Sequence, residues 1–296
     1  MTWTLVERAE TPKGPTGPGE DRLLIAGDPS DVTCCAVVDG ATDKSGRDYG
    51  GMSGGSRAAD QVIATLTMLP ATATPSDALA MVTAGLAALR RRWGIESDDL
   101  LGPSAVAAVL LAGRRQIVRV GDVHVGIGRD GVWEYHPADK DVDRAAAGAR
   151  AALLHCLLAQ GADPARLAAT DPGRHMVSEI LTAQNALANR DDASPFGFGL
   201  LDGRPVPRRH VEVFDLDDTV DEVVLASDGY LRPAPTLETA ERELAADLAA
   251  DPLRIGAHPS TKGVAPGSSS FDDRTWVRLR AGRGGGGPER PPSGSS

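Results

Sequence analysis

Asp31-Val32-Thr33-Cys34-Cys35-Ala36-Val37-Val38-Asp39-Gly40 is the stretch on which the reading of this chain turns. It is β-prone, nearly free of polar interruption, and stops on an aspartate followed by a glycine. A strand this apolar is covered on both faces, which places it inside the fold and brings its last residue out where the sheet opens to solvent. A carboxylate fixed at such an end is a candidate metal ligand or general base. The glycine lets the backbone turn and leaves a carbonyl facing whatever the carboxylate holds. An Asp-Gly turn at a strand end is commonplace by itself; its repetition elsewhere in the chain gives it weight.

Toward the N-terminus, residues 22–26 form the neighbouring strand, entered through Glu20-Asp21 from a proline- and glycine-rich loop and an earlier short strand at 3–6. Sequential strands joined by a short loop pair, so these two acids stand beside Asp39. Toward the C-terminus a polar glycine-rich loop, 41–55, runs into a helix over 56–66. It lacks the Gly-Lys-Ser/Thr ending of a P-loop. A second helix is predicted over 76–93, with Ser76 as cap after Pro75 and Arg90-Arg91-Arg92 at its C-terminal end. Strands follow at 104–112, 116–121, 123–128 and 132–135, with Asp122 in a turn and Arg129-Asp130-Gly131 as a hairpin signal. Helices are predicted at 142–160 and 171–189, then a loop or flap at 190–207 and strands at 211–215 and 222–226. The last of these delivers Ser227-Asp228-Gly229, the same device as Asp39-Gly40. A helix at 237–250 and a strand at 276–279 close the pattern, the strand preceded by Phe271-Asp272-Asp273-Arg274-Thr275. Strands and helices come in groups, which favours an α+β architecture over a doubly wound parallel sheet. One domain over 1–280 is expected, with a disordered Gly/Pro/Ser-rich tail at 281–296.

At 296 residues, 41% hydrophobic and 24% charged, the chain can bury a sizeable core. No apolar run approaches the roughly 18 residues that span a bilayer, and the N-terminus opens no signal peptide. A cytoplasmic protein, a monomer without membrane partners, is the expectation. Cys34, Cys35 and Cys156 are odd in number and two are adjacent on a buried strand, which argues against a disulfide framework. The formal net charge of −10 argues against nucleic-acid binding. It leaves room for a phosphorylated substrate, because divalent cations invert the local sign of an acidic pocket.

Glu20, Asp21, Asp39, Asp122, Asp228 and Asp272 each lie where an apolar strand meets a loop. Hard divalent ions take carboxylate oxygens, carbonyls and waters, and a pair of ions needs several acids. The six histidines are scattered without the short repeated spacing of a zinc site. Magnesium or manganese is the expected ion.

In this order the local words Gly19-Glu20-Asp21-Arg22, Val37-Val38-Asp39-Gly40, Gly102-Pro103-Ser104-Ala105, Val120-Gly121-Asp122, Ala226-Ser227-Asp228-Gly229 and Phe271-Asp272-Asp273-Arg274-Thr275 become recognisable. The chain resembles the metal-dependent serine/threonine protein phosphatases of the PPM, or type 2C, family, as a divergent bacterial-type member, over about residues 20–279. The resemblance implies a four-layer α-β-β-α sandwich of mainly antiparallel sheets flanked by helices. It also implies a centre of two, and with a weaker ion three, Mg²⁺ or Mn²⁺ ions at one end. In the family the residue matching Asp39 bridges the metals and the carbonyl matching Gly40 joins one of them. The acids matching Asp228 and Asp272 complete the other seat, Glu20 and Asp21 match the pair that contacts or positions metal-bound water, and Asp122 matches the weaker third site. The implied activity is hydrolysis of phosphoserine and phosphothreonine in a protein substrate or a small phosphoester, by a water activated between two metals, with Asp39 and Asp21 as catalytic residues. Phosphate monoesters hydrolyse so slowly unaided that accelerations of up to ~10²¹ are known, a task suited to a charge-neutralising centre.

The chain departs from the family pattern at two places. The arginine that the family usually carries four residues before the acidic pair is replaced by Thr16, with Lys13 nearby, and the Asp-Gly-Met/His-Gly-Gly word becomes Asp39-Gly40-Ala41-Thr42-Asp43. Lys13, Lys44, Arg47, Arg57 and Lys262 are then the candidates for holding substrate phosphate, each with a solvated charge as its plainer explanation. The departures also admit a catalytically weak or inactive phosphatase-like regulatory protein. A third reading takes Gly51-Met52-Ser53-Gly54-Gly55 as a serine-hydrolase elbow, which requires a strand directly before Ser53.

Overall fold

Even and odd positions of the opening stretch go to different layers of the protein. Cys35 and Val37 point into one apolar cluster, whereas Cys34, Ala36 and Val38 point into another, the two-residue period of a strand covered on both faces. Val32 joins the Cys35 side because the register passes from Ala26 opposite Cys34 to Gly27 opposite Val32, a bulge that skips Thr33. Gly27 sits there at φ +90°, where an added Cβ would stand 2.6 Å from the Asp31 carbonyl oxygen.

The computed structural model describes residues 2–15, 17–137 and 139–282. The described strands are β1 (Trp3–Thr11), β2 (Arg22–Asp28), β3 (Asp31–Ala41), β4 (Ser104–Leu111), β5 (Gln116–Val120), β6 (His124–Arg129), β7 (Val132–His136), β8 (Glu212–Asp215), β9 (Glu222–Ala226) and β10 (Arg274–Ala281). The helices are α1 (Gly54–Thr67), α2 (Pro75–Arg92), α3 (Asp141–Ala159), α4 (Pro164–Thr170), α5 (Pro172–Met176), α6 (Ser178–Ala183) and α7 (Leu237–Ala250). Two five-stranded sheets form, ordered β2-β3-β4-β5-β8 and β1-β10-β9-β6-β7, with their strand pairs antiparallel. Their facing sides enclose Cys35, Val37, Val106, Leu110, Ile117, Val125, Leu225, Val277 and Leu279. On the outer side of the first sheet, Ala58, Val62 and Leu66 of α1 and Val82 and Leu86 of α2 cover Ala36, Val38 and Ala107. On the outer side of the second, Ala240 and Leu244 of α7 pack with Val224, Ala226 and Trp276. The α+β sandwich expected from the grouping of elements is therefore the architecture observed.

Several boundaries differ from the sequence reading. The first strand extends to Thr11, and the last runs from Arg274 through Ala281, so the expected tail starts no earlier than Gly282. Residues 283–296, to which the tail expectation applies, and Thr16 lie outside the described residues. The second helix is capped by Thr74, not Ser76: Thr74 accepts from the Asp77 N–H while Asp77 bonds back to Thr74, with Pro75 at the first helical position. The helix expected at 171–189 starts at Pro172, where Asp171 in the left-handed region at φ +35° caps it, and is then interrupted by a turn at Val177 into α5 and α6, followed by a 3₁₀ turn at Gln184–Leu187. Among the described residues no helix is long and apolar enough to cross a membrane.

A lateral unit of α3, α4 and the segment after α7 is held together by Ala151, Leu154, Leu167, Leu253 and Ile255. At its centre the Arg150 side chain is 1% exposed. It forks onto Asp171 and donates to the carbonyls of Leu253, Arg254 and Ser260. This clamp fixes the loop that forms one wall of the cavity described next.

Candidate metal centre

The sandwich brings its acids to one end because each follows or precedes a strand that terminates there. Asp39 and Gly40 are at the end of β3, Asp122 is in the β5–β6 turn, Asp228 lies just after β9, Asp272 just before β10, and Glu20 just before β2. All six line one cavity of about 490 Å³. Asp21, adjacent to Glu20, is 7% exposed and does not line it. Its Oδ2 accepts from the Ser227 hydroxyl at 2.7 Å, and Ser227 Oγ in turn accepts from the Thr275 N–H at 2.9 Å. Asp21 thus ties the mouth of β2 to β9 and β10 beneath the cavity. Burial, reinforced by Asp272 and Asp273, pushes its carboxyl up to about 7 against the pull of Ser227.

Glu20 faces the cavity with both oxygens engaged: Oε1 accepts from Ser53 Oγ at 2.5 Å and Oε2 from Thr42 Oγ1 at 2.9 Å. Ser53 is the N-cap of α1, accepting from the Ser56 N–H at 3.1 Å. The residues before it are loop, so the strand that a nucleophile elbow needs is missing. The glycine-rich segment has a packing role, since a Cβ on Gly40 would stand 2.5 Å from the Gly55 carbonyl group and one on Gly55 2.6 Å from Glu20 Oε1. The start of α1 rests directly on the end of β3.

The remaining acids divide into two kinds. Burial, followed by the charges of Asp21, Asp228, Asp272 and Asp122, pushes Asp39 well above the ordinary carboxylate range. Burial and then Asp272 and Asp122 push Asp228 up to about 8, and its Oδ1 is buried without a hydrogen-bond partner. Asp272 and Asp122, by contrast, carry ammonium partners. Asp272 Oδ1 meets Lys13 Nζ at 3.1 Å and Oδ2 meets Lys262 Nζ at 2.6 Å. Burial opposes ionisation of Asp272, but the two lysines outweigh it and hold the carboxyl below its usual value. Asp122 Oδ2 meets Lys140 Nζ at 3.1 Å, and Lys140 also pairs with Asp143 at 3.0 Å.

Asp273, to which sequence reasoning assigned no role of its own, organises the loop that presents Glu20. It is 4% exposed. Its Oδ1 accepts from the Lys13 N–H at 2.8 Å, and its Oδ2 accepts from the Glu20 N–H at 3.0 Å and from Lys13 Nζ at 3.2 Å. The signal was present in the doubled acid Asp272-Asp273, whose two carboxylates share the Lys13 ammonium at 3.1 and 3.2 Å. Among the phosphate candidates, Lys44 lines the cavity, as does Lys262. Arg47 pairs with Asp99 at 3.6 Å, and Arg57 Nε donates to the Tyr49 carbonyl at 2.8 Å. A cation that the sequence reading missed, Arg174 of α5, also lines the cavity and donates to Thr261 O at 3.0 Å and Oγ1 at 2.7 Å. Burial, then Arg174 and Lys262, lower the Lys44 ammonium below its ordinary value, as expected where cations crowd one wall.

The donor set suits a hard divalent cation: carboxylates, the Gly40 carbonyl, and an orphaned buried oxygen on Asp228. Among the described residues, however, no group of three or more His, Cys, Asp or Glu side chains is set closely enough to hold an ion as it stands. Asp272 and Asp122 are turned to lysines instead.

No family model and no curated protein sequence matches the chain. Solved structures do. The Mycobacterium tuberculosis serine/threonine phosphatase PstP/Ppp superposes with a TM-score of 0.50 at 17% identity, over 95% of this chain and 99% of that one. The catalytic domain of PstP in complex with two manganese ions gives 0.49 at 20% identity over 94% and 99%. Staphylococcus aureus Stp1 gives 0.48 at 17% identity over 95% and 96%. The likeness to PstP/Ppp is one of fold, two antiparallel sheets flanked by helices.

Proposed function

On the fold shared with the PPM-type serine/threonine phosphatases, we propose that this chain is a metal-dependent phosphatase that hydrolyses phosphoserine and phosphothreonine monoesters by direct attack of water. The observation that carries this reading is the convergence of Glu20, Asp39, Asp122, Asp228 and Asp272, five acids from distant parts of the chain, on one cavity. Asp39, the Gly40 carbonyl, Asp228 and Asp272 would hold two Mg²⁺ or Mn²⁺ ions, and Asp122 a weaker third. When bound, such ions lower the pKa of a water and neutralise charge growing on the phosphoryl oxygens. Glu20, oriented by Ser53 and Thr42, would accept hydrogen bonds from metal-bound water in the cavity. Asp21, its carboxyl pushed up to about 7 by burial and held by Ser227 below, fixes the strand ends that aim Asp228 and Asp272. Lys44 and Arg174, which line the same cavity, offer cationic donors to the substrate phosphate in place of the missing arginine.

A regulatory, phosphatase-like protein without turnover is the second reading, favoured by the two lysines already neutralising Asp272. Hydrolysis of p-nitrophenyl phosphate and of a phosphothreonine peptide separates them. Turnover that requires Mn²⁺ or Mg²⁺ and disappears in Asp39→Asn is expected. Turnover indifferent to chelator would sink the catalytic reading, and Mn²⁺ binding without turnover would establish the second.

A further inference from the structure

We infer that Lys13 and Lys262 are internal competitors of a divalent cation at Asp272, so that this chain binds metal at the Asp228–Asp272 seat only by displacing its own ammonium groups. The inference rests on the metal-centre reading above. Both oxygens of Asp272 are taken: Oδ1 by Lys13 Nζ at 3.1 Å and by the Asp273 N–H at 3.0 Å, Oδ2 by Lys262 Nζ at 2.6 Å. Asp228, the other acid of that seat, keeps a buried oxygen with no partner at all. The two halves of one seat are therefore unequal, one waiting for a cation and one supplied with two.

These lysines are not chance surface charges that fell onto an acid, because the backbone delivers each of them. The Lys13 N–H donates to Asp273 Oδ1 at 2.8 Å, which anchors the residue beside Asp272 whatever its side chain does. Lys262 follows two fastened residues: the Ser260 carbonyl accepts from Arg150 Nη1 at 3.0 Å, and Thr261 accepts from Arg174 Nη1 through its carbonyl and hydroxyl oxygens. Both ammonium groups are tethered at close range, so a cation entering the seat meets them at high effective concentration. An ammonium on a flexible stem can swing away, so the contest is reversible rather than a block.

The test is Mn²⁺ titration by calorimetry of the full chain, freed of metal, as wild type, Lys262→Met, Lys13→Met and the double variant. Both side chains are partly exposed, so the variants are expected to fold, and circular dichroism melting checks this. The double variant should bind Mn²⁺ roughly tenfold more tightly at one site, since it loses both an ion pair that must be broken and a charge that repels the metal. Lys262→Gln should move in the same direction. An unchanged or weaker Mn²⁺ affinity in the folded double variant overturns the inference and leaves the metal centre intact. If none of the proteins binds Mn²⁺, the metal-centre reading falls and takes this one with it.

Discussion

Arg150→Met should destabilise the protein by about 4 kcal/mol, and the figure follows from what the guanidinium touches. The side chain is 1% exposed, its Nη2 lies 2.9 Å from Asp171 Oδ2, and its Nε lies 3.1 Å from each Asp171 oxygen. Three carbonyls, of Leu253, Arg254 and Ser260, take its remaining donors at 2.9 to 3.2 Å. Methionine keeps most of the stem volume, so the cost is polar rather than a cavity. Removing one partner of a buried ion pair costs about 3–5 kcal/mol. Asp171 is 21% exposed and regains some water, which favours the lower half of that range. The three carbonyls sit on a loop that loosens and rehydrates them once the guanidinium is gone, so they keep the loss near the top of that lower half, about 4 kcal/mol. Arg150→Lys keeps a charge for Asp171 but not the fork, and should lose about half as much. Urea unfolding measures both variants, and amide exchange over residues 252–262 reports the released wall. A loss below about 1 kcal/mol for the methionine variant would mean that the clamp contributes no more than an exposed pair.

Two further outcomes are expected. Gly229→Ala places a Cβ 2.0 Å from the Asp273 carbonyl oxygen and 2.8 Å from Arg274 Cβ, backbone and near-backbone atoms that cannot swing aside. It should cost about 2 kcal/mol or more by thermal unfolding, and an unchanged melting temperature would show that the strand ends yield freely. Burial pushes the Cys34 thiol up to about 12, and burial with Cys34 beside it pushes Cys35 well above its ordinary value, while Cys156 is exposed. A chromogenic disulfide reagent at about pH 8 should therefore titrate one thiol in the native protein and three in denaturant, and three fast-reacting native thiols would contradict the buried strand.

The fold was legible where hydrophobic period alone decides it. Residues 31–40 read as a doubly covered strand because neither face offers a polar break, one residue short of the observed 31–41, and α7 was read over 237–250, the range observed. Legibility failed where one residue's backbone conformation overrides the period. The apolar spacing across 171–189 is helical, yet Asp171 in the left-handed region sets where α5 begins and a turn at Val177 cuts it from α6, which no periodicity reports. The last strand was read short because its arginines resemble a loop. In fact Arg278 and Arg280 alternate with Val277 and Leu279 and pair across the sheet with Glu7 and Glu222.

The acids of the candidate site could be found from sequence because each repeats one local device, a carboxylate where an apolar strand meets a loop. Their partners could not. Lys13, Lys140 and Lys262 reach Asp272 and Asp122 across loops whose course depends on Asp273, on the α3 start and on the Arg150 clamp. The different fates of Glu20 and Asp21, one into the cavity and one beneath it, follow from partners distant in sequence, Ser53 and Thr42 for Glu20 and Ser227 for Asp21. The division this creates has a chemical consequence. Burial and neighbouring carboxylates push Asp39, Asp228 and Asp21 above the ordinary carboxylate range, whereas two lysines hold Asp272 below it. A cation binding here therefore competes with protons at Asp39 and Asp228 and with ammonium groups at Asp272. Its affinity is set by how the chain has already balanced these charges, and a count of carboxylates, the quantity a sequence displays, does not measure that balance.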